Sequence, residues 1–299
     1  MIVTLTRPEN AKSAIKLGYP VFSSAYHIPN ASKVIRWGNG MDSDKPGWAL
    51  VLNKSATLQL SIDKLAALQA LSRTVKTPDL KTEGTRTTSG SWVVRPHNHA
   101  EGSDFEVRDG AFTVPSGYHA TRFIPYTREY RVWFIRDKYL VAKRVPRTSE
   151  GQSSDDQCRS KWGYSFCDVV FSKLKEEMGK ARLAIPLDFG AADVLWTDDW
   201  NGSGSGAYAF LEINSAPSLD HDRVLEHFQT HLASILGPQT AQVVPEVVPT
   251  RENAANRSLE CRSNTPVATV DWKARYKAKL AVQVAAEKAA IEKEFYDSL

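Results

Sequence analysis

The chain has 299 residues with 42% hydrophobic and 10% aromatic side chains, a composition typical of a folded protein of one or two domains. Its formal net charge of +4 suits anionic ligands but is too small to indicate nucleic-acid binding. No apolar run approaches the roughly 20 residues that span a bilayer, so no membrane partner is expected. The three cysteines show no disulfide or zinc spacing, and the N-terminus lacks a signal-peptide pattern. We therefore expect a cytoplasmic protein.

Residues 1–54 predict a small N-terminal α/β unit. A strand is expected at residues 2–5, followed by an amphipathic helix over residues 11–17 that ends at Gly18. Further short strands are expected at residues 21–26, 34–37 and 48–52.

Residues 55–237 predict a larger α+β region. Apolar side chains at helical spacing predict one helix over residues 55–75, closed by Pro78, and a second over residues 166–178, stopped by Gly179. A third helix is expected near residues 222–236. The strands expected before the second helix lie at residues 92–94, 105–107, 130–135 and 139–145, and the last two form a hairpin.

The C-terminal part differs in composition. Residues 238–270 are polar and proline-containing, which predicts a linker, and residues 271–299 predict a charged helix with an apolar stripe. The stripe includes Trp272, Tyr276 and Leu280. Because an isolated helix is marginal in water, we expect this one to pack on its own chain or on a second copy in a homo-oligomer.

Hard oxygen ligands cluster on a second predicted hairpin. An apolar run at residues 187–196 is interrupted by Asp193, and a Gly-rich loop separates it from a strand that carries Glu212 and Asn214. If that strand is regular, Tyr208 and Phe210 share one face with Glu212 and Asn214. Folding the hairpin would place Asp193 opposite Glu212 and Asn214, an oxygen set that suits Mg²⁺.

This hairpin resembles the metal-binding end of the ATP-grasp superfamily, in which an Asp precedes a Glu-x-Asn and a Pro-Gly-Leu-like turn. Asp193, Glu212, Asn214 and residues 217–219 occupy those places, with Ser218 replacing the usual Gly. The resemblance implies an α+β ATP-grasp fold, with a small N-terminal α/β unit and two α+β subdomains that clasp ATP. Here a C-terminal helical extension would follow. It also implies ATP and Mg²⁺, or Mn²⁺, as cofactors.

The resemblance extends over roughly residues 53–225 and nominates side chains for the phosphates. The Asp63-Lys64 pair matches one that sends its Lys toward the nucleotide phosphates, and Arg95 takes the place of a second, usual Lys. Lys143 is a further candidate phosphate contact. Its neighbour Arg144 would face the other side of the same strand, and the sequence leaves open which of the two is used.

Residues 120–131 resemble the hinge strand that recognises adenine through backbone groups. Since Pro125 has no N–H, the donor should come from Phe123 or Ile124. In the Glu-x-Arg pattern that follows, Glu129 would hold the ribose hydroxyls and Arg131 would point into the catalytic cleft.

The family implies ATP-dependent carboxylate activation, and the nearest types are RimK-like and tailed-phage ATP-grasp proteins. The partners would be a small-molecule or peptide carboxylate and an amine acceptor, joined through an acylphosphate intermediate. A phage-encoded protein would act in the host cytoplasm. D-alanine ligases place an Arg two residues before the first metal Asp, where this chain has Ala191. Two alternatives stay open: an ATP-grasp kinase, and a degenerate nucleotide-binding or structural protein.

Overall fold

Three β-sheets contain the strands of the described part of the chain. The computed structural model describes residues 1–97, 106–146, 162–200 and 204–237, which all fall in one compact unit. The predicted linker at 238–270 and the predicted charged helix at 271–299 lie outside the described residues. No helix within these ranges is both long and apolar enough to cross a membrane.

The N-terminal sheet is parallel, with the strand order β2-β1-β3-β4. Its elements are β1 (Ile2–Thr6), α1 (Ala11–Lys16), β2 (Val21–Phe22), β3 (Lys33–Trp37) and β4 (Leu50–Leu52). These confirm the predicted α/β pattern, except that β2 is short because residues Ala25–His27 form a 3-10 turn instead. Trp37 stacks on Phe189 and meets Phe228 edge-on, with ring centroids 5.2 and 5.3 Å away, which joins this sheet to the rest of the unit.

The second sheet is antiparallel, with the order β5-β8-β6-β7. Its strands are β5 (Leu80–Thr82), β6 (Ser91–Pro96), β7 (Glu106–Asp109) and β8 (Tyr118–Arg122). A small core that includes Trp92 and Val94 covers one face. Arg95 therefore lies on the other face of β6, because side chains alternate along a strand.

The third sheet is antiparallel, with the order β11-β10-β9-β12-β13. Its strands are β9 (Arg128–Ile135), β10 (Lys138–Pro146), β11 (Trp162–Phe166), β12 (Phe189–Thr197) and β13 (Ala207–Asn214). One face packs against α2 (Ser55–Ile62), α3 (Lys64–Leu71) and α4 (Ser172–Ala184). The other face is covered at one end by α5 (Asp222–Leu236) and the N-terminal unit. Both predicted hairpins and the predicted helix at 222–236 are confirmed.

Two predicted helices have the wrong bounds. The helix expected over residues 55–75 is broken at Asp63, whose extended backbone ends α2 and whose side chain accepts a hydrogen bond from Ala66 N–H at 3.0 Å as the N-cap of α3. The helix expected over residues 166–178 begins at Ser172 and continues through Gly179. Leu174, Met178 and Ala181 form a buried stripe along α4. Their tertiary packing explains why the helix continues past Gly179, because it outweighs the cost of one glycine, about 1 kcal/mol.

Candidate active site

A β-bulge in β13 decides which side chains reach the site. Asp193 pairs with Glu212, whereas the next residue of β12, Val194, pairs with Phe210, so Leu211 is the extra residue. The prediction that Asp193 lies opposite Glu212 is confirmed, whereas Asn214, predicted opposite the same residue, pairs with Ala191.

The bulge also reverses the alternation of faces along β13. Tyr208 and Phe210 lie in the same helix-covered core as Ile213, so Glu212 and Asn214 point to the opposite face. The predicted common face of Tyr208, Phe210, Glu212 and Asn214 is therefore wrong, because that prediction assumed a regular strand. In a regular strand of the same sequence, Glu212 would lie two residues after Phe210 on the same face and would point into the core.

Charged side chains cross this face from β10 to α3. Arg144 of β10 pairs with Glu129 of β9 at 3.1 Å, and both side chains are nearly buried. On the next rung, Arg131 Nη1 donates to both oxygens of Asp193, at 2.7 and 2.6 Å. We call the set of Lys64, Glu129, Arg131, Arg144, Asp193 and Glu212 the charged row.

Asp193 is the most deeply buried member of the charged row. Its side chain is 0% exposed, and that of Arg131 is 13% exposed. Burial raises the pKa of Asp193; the Arg131 guanidinium opposes this rise, and the nearby Glu212 charge adds to it. Although burial alone would lower the pKa of Arg131, the Asp193 carboxylate raises that pKa above its ordinary value. Arg131 is therefore a permanent cation at the centre of the sheet face.

Lys64 completes the charged row at the edge strand. Its Nζ donates to Asn214 Oδ1 at 2.8 Å and lies 3.3 Å from Glu212 Oε2, while Asn214 Nδ2 donates to Glu212 Oε1 at 2.9 Å. Burial by itself would raise the pKa of Glu212, yet the Lys64 ammonium and the hydrogen bonds at its oxygens hold that pKa well below its usual range. Glu212 is thus ionised and already in contact with a cation.

The donor set fits Mg²⁺ on chemical grounds. Asp193, Glu212 and Asn214 offer two carboxylates and one amide oxygen on one face, and Mg²⁺ usually takes one or two protein carboxylates and keeps its other positions for water and phosphates. Oxygens of Glu212 and Asn214 jointly contact the Lys64 ammonium, so this pair can hold a cation. Within the described ranges no cluster of three His, Cys, Asp or Glu side chains offers a different metal site.

The structure does not bring Lys143 to the charged row. Lys143 pairs with Tyr130, which belongs to the helix-covered core, so both lie on the opposite face of the sheet. Tyr139 and Val141, which share the strand face of Lys143, pack in the same core. Arg144 is the residue of this strand that contacts Glu129. The register of the 130–145 hairpin places Arg144 opposite Glu129, and this register is the signal in the sequence that could have identified it.

The hinge residues lie beside an apolar cluster. Ile124 packs with Leu195 and Ala209 on the face that carries Asp193. The Phe123 N–H already donates to the carbonyl of Ser91 at 2.9 Å. Arg95 lies opposite His119 of β8, in the second sheet rather than in the charged row.

No protein-family model and no curated protein sequence matches the chain. Several solved structures do. The macrocyclase MdnC from Microcystis aeruginosa MRC, bound to the precursor peptide MdnA, is 14% identical with a TM-score of 0.50, over 79% of this chain and 99% of that chain. D-alanine–D-alanine ligase from Bacillus anthracis is 10% identical with a TM-score of 0.51, over 78% of this chain and 92% of that chain. The ATP-grasp ligase PsnB with a minimal precursor is 12% identical with a TM-score of 0.50, over 79% of this chain and 97% of that chain.

These likenesses show the fold of the chain. The chain has the ATP-grasp fold, as the hairpin with Asp193, Glu212 and Asn214 implied.

Proposed function

We propose that this protein is an ATP- and Mg²⁺-dependent carboxylate–amine ligase of the RimK-like type. The observation that carries the proposal is the oxygen set of Asp193, Glu212 and Asn214 on one sheet face, flanked by the cations Lys64 and Arg131. Phosphoryl transfer needs positioned cations more than covalent chemistry, and this face supplies them.

Each member of the site has an assigned role. Asp193, Glu212 and Asn214 would hold Mg²⁺, which supplies charge neutralisation and orientation at the phosphates when it is bound. Lys64 and Arg95 would contact phosphate oxygens, and Arg144 replaces Lys143 as the third candidate because it lies on the correct face. Arg131 uses Nη1 for Asp193, and its Nε lacks a partner among the described residues. We assign it the catalytic role of stabilising negative charge in the cleft.

The nucleoside would lie against the apolar cluster of Ile124, Leu195 and Ala209. Because the Phe123 N–H is committed to Ser91, the Ile124 N–H is the better donor for adenine. Glu129 would accept hydrogen bonds from the ribose hydroxyls, with Arg144 holding its carboxylate in place.

The reaction would proceed in two steps. A substrate carboxylate oxygen attacks the γ-phosphorus, the bond from that phosphorus to the β–γ bridging oxygen breaks, and ADP leaves. The amine then attacks the acyl carbon of the acylphosphate, the C–O bond to phosphate breaks, and inorganic phosphate leaves. The nitrogen releases one proton to water, and an amide is formed.

The acceptor would bind between the N-terminal sheet and the nucleotide. Ligands of open parallel sheets bind beyond the carboxyl ends of the strands where the strand order reverses, which here is between β1 and β3. Gly38, with a φ of 72°, follows β3, and a Cβ there would lie 2.8 Å from the Cβ of Ala216. The turn after β3 therefore closely approaches Ala216, which lies two residues after the metal candidate Asn214 in the chain.

A peptide is the favoured class of substrate. MdnC was solved with a precursor peptide, and PsnB was solved with a minimal precursor. Ala191 is fully buried and offers no guanidinium at the position that D-alanine ligases use, which argues against that particular reaction.

The test is to incubate the protein with ATP, Mg²⁺, a panel of amino-acid and peptide carboxylates, and hydroxylamine. We expect ADP release that depends on one carboxylate, with a hydroxamate formed from it, because hydroxylamine traps acylphosphates. The Glu212→Gln/Asn214→Ala double variant is the matched control and should release no ADP. A stable phosphorylated product without hydroxamate would indicate a kinase and overturn the ligase proposal.

A further inference from the structure

The Lys64 ammonium lies where a metal held by Glu212 and Asn214 would lie. Its Nζ is 2.8 Å from Asn214 Oδ1 and 3.3 Å from Glu212 Oε2. Mg²⁺ requires ligand oxygens at about 2.0–2.1 Å, so an ion between the same two oxygens would overlap the ammonium group. The two cations cannot use this pair of oxygens together.

The local charge is also balanced without a metal. Arg131 neutralises Asp193 through both carboxylate oxygens, and Lys64 neutralises Glu212. A divalent cation that entered alone would meet two positive charges at close range. It would therefore have to displace one of them.

Lys64 is the cation that can leave. It is the first residue of α3, directly after the break at Asp63, and its side chain is 24% exposed on a long flexible stem. Arg131 is only 13% exposed and is fixed to a fully buried carboxylate. Nucleotide phosphates near this edge of the sheet would offer Lys64 alternative acceptors.

We propose that Lys64 is an internal substitute for the metal, which occupies the Glu212–Asn214 oxygens in the nucleotide-free protein and transfers to the phosphates when the nucleotide binds. This inference rests on the proposed nucleotide site. Its consequence is that the metal binds weakly by itself and enters together with the nucleotide. By linkage, the metal and the nucleotide then strengthen each other's binding by the same factor.

The test is to measure the affinity of the full chain for a divalent metal ion in the absence of nucleotide. Mn²⁺ serves as the probe, and its free concentration is followed by electron paramagnetic resonance. Lys64→Met, which keeps most of the apolar stem, should bind Mn²⁺ at least about tenfold more tightly than the wild type, or about 1.4 kcal/mol. Lys54→Met is the matched control, because Lys54 is exposed and makes no side-chain capping bond, and it should bind like the wild type.

Two further variants test whether a gain in Mn²⁺ affinity comes from the loss of the Lys64 ammonium. Lys64→Gln should show the same gain if Lys64→Met fails to fold, as judged by thermal melting. Adding Glu212→Gln/Asn214→Ala to Lys64→Met should abolish the gain, which assigns it to these oxygens. Unchanged or weaker Mn²⁺ binding in both Lys64 variants would overturn the inference, while nucleotide binding by the wild type would still support the proposed function. A gain in Mn²⁺ affinity with no nucleotide binding by the wild type would instead contradict the proposed function.

Discussion

At the scale of single residues, Asp193 is a fully buried carboxylate whose oxygens both accept hydrogen bonds from Arg131. Removing one partner of a buried ion pair leaves an uncompensated charge, which costs about 3–5 kcal/mol. We therefore expect Arg131→Met to lower the free energy of unfolding by about that amount in urea denaturation at neutral pH.

The matched control is Arg136→Met. The Arg136 pair with Asp188 spans 3.5 Å, and its side chains are 47% and 28% exposed. Exposed pairs contribute about 0–1 kcal/mol, so this variant should unfold close to the wild type. Equal losses in the two variants would show that Asp193 does not depend on Arg131.

The stability of the fold should depend on pH through His227, which lies outside the candidate active site. Burial, assisted by the neighbouring His231, lowers the pKa of His227 from 6.5 to about 4. The unfolded chain therefore binds more protons than the folded chain between these values, so stability falls as the pH drops from 6.5 toward 4. We expect His227→Asn to flatten the slope of melting temperature against pH in this window. The exposed His27→Asn should keep the wild-type slope, and an equally steep slope in His227→Asn would contradict the assignment.

At the scale of elements, the β12–β13 hairpin could be predicted, whereas its bulge could not. Asp193 interrupts an apolar run, and the Gly-rich loop marks the turn, so the pairing with Glu212 followed from the sequence. The extra residue is Leu211, an apolar side chain that leaves no signal in an alternating pattern. The bulge is visible in the pairing register of the structure and in the packing, because Phe210 and Ile213 share one core.

The helix break at Asp63 had a local signal that the periodic pattern obscured. Asp is a favoured N-cap, and this one ends α2 and starts α3. The break places Lys64 in the first turn of α3, within reach of Glu212 and Asn214. The resemblance nominated Lys64 from its order in the chain, but its contact with the metal candidates needed the structure.

The register of β13 predicts opposite results for two single-residue deletions. Deleting Leu211 should convert the bulge into a regular ladder that keeps Glu212 opposite Asp193. Deleting Ile213 should turn Asn214 toward the core. We expect the first variant to keep Mg²⁺-dependent nucleotide binding and the second to lose it. Calorimetric titration checks both, and loss of binding in the Leu211 deletion alone would contradict the register.

At the scale of the whole molecule, the net charge of +4 is not concentrated in the charged row. Lys64, Arg131 and Arg144 balance Glu129, Asp193 and Glu212, so this face is formally neutral. A polyphosphate gains little attraction from a neutral face until a divalent ion joins it. We therefore predict that nucleotide binding depends strongly on the metal.

The C-terminal segment adds a prediction from the sequence alone. If the helix predicted over residues 271–299 packs on the chain or on a second copy, truncation after Pro266 should lower the melting temperature or change the oligomeric mass. Nucleotide binding should persist, since the proposed nucleotide ligands all lie before residue 238. An unaltered melting temperature and mass would contradict the packing role.

We propose that Glu212 and Asn214 bind the metal that holds the nucleotide. The most direct measurement is calorimetric titration of a non-hydrolysable ATP analogue, with Mg²⁺ and with a chelator. The proteins compared are the wild type, the Glu212→Gln/Asn214→Ala double variant, and an exposed-carboxylate control, Glu106→Gln, whose side chain is 59% exposed. We predict Mg²⁺-dependent binding in the wild type and the control. The double variant should keep its fold and bind at least about a hundredfold more weakly, or about 2.7 kcal/mol. Unchanged Mg²⁺-dependent affinity in the double variant would contradict the account.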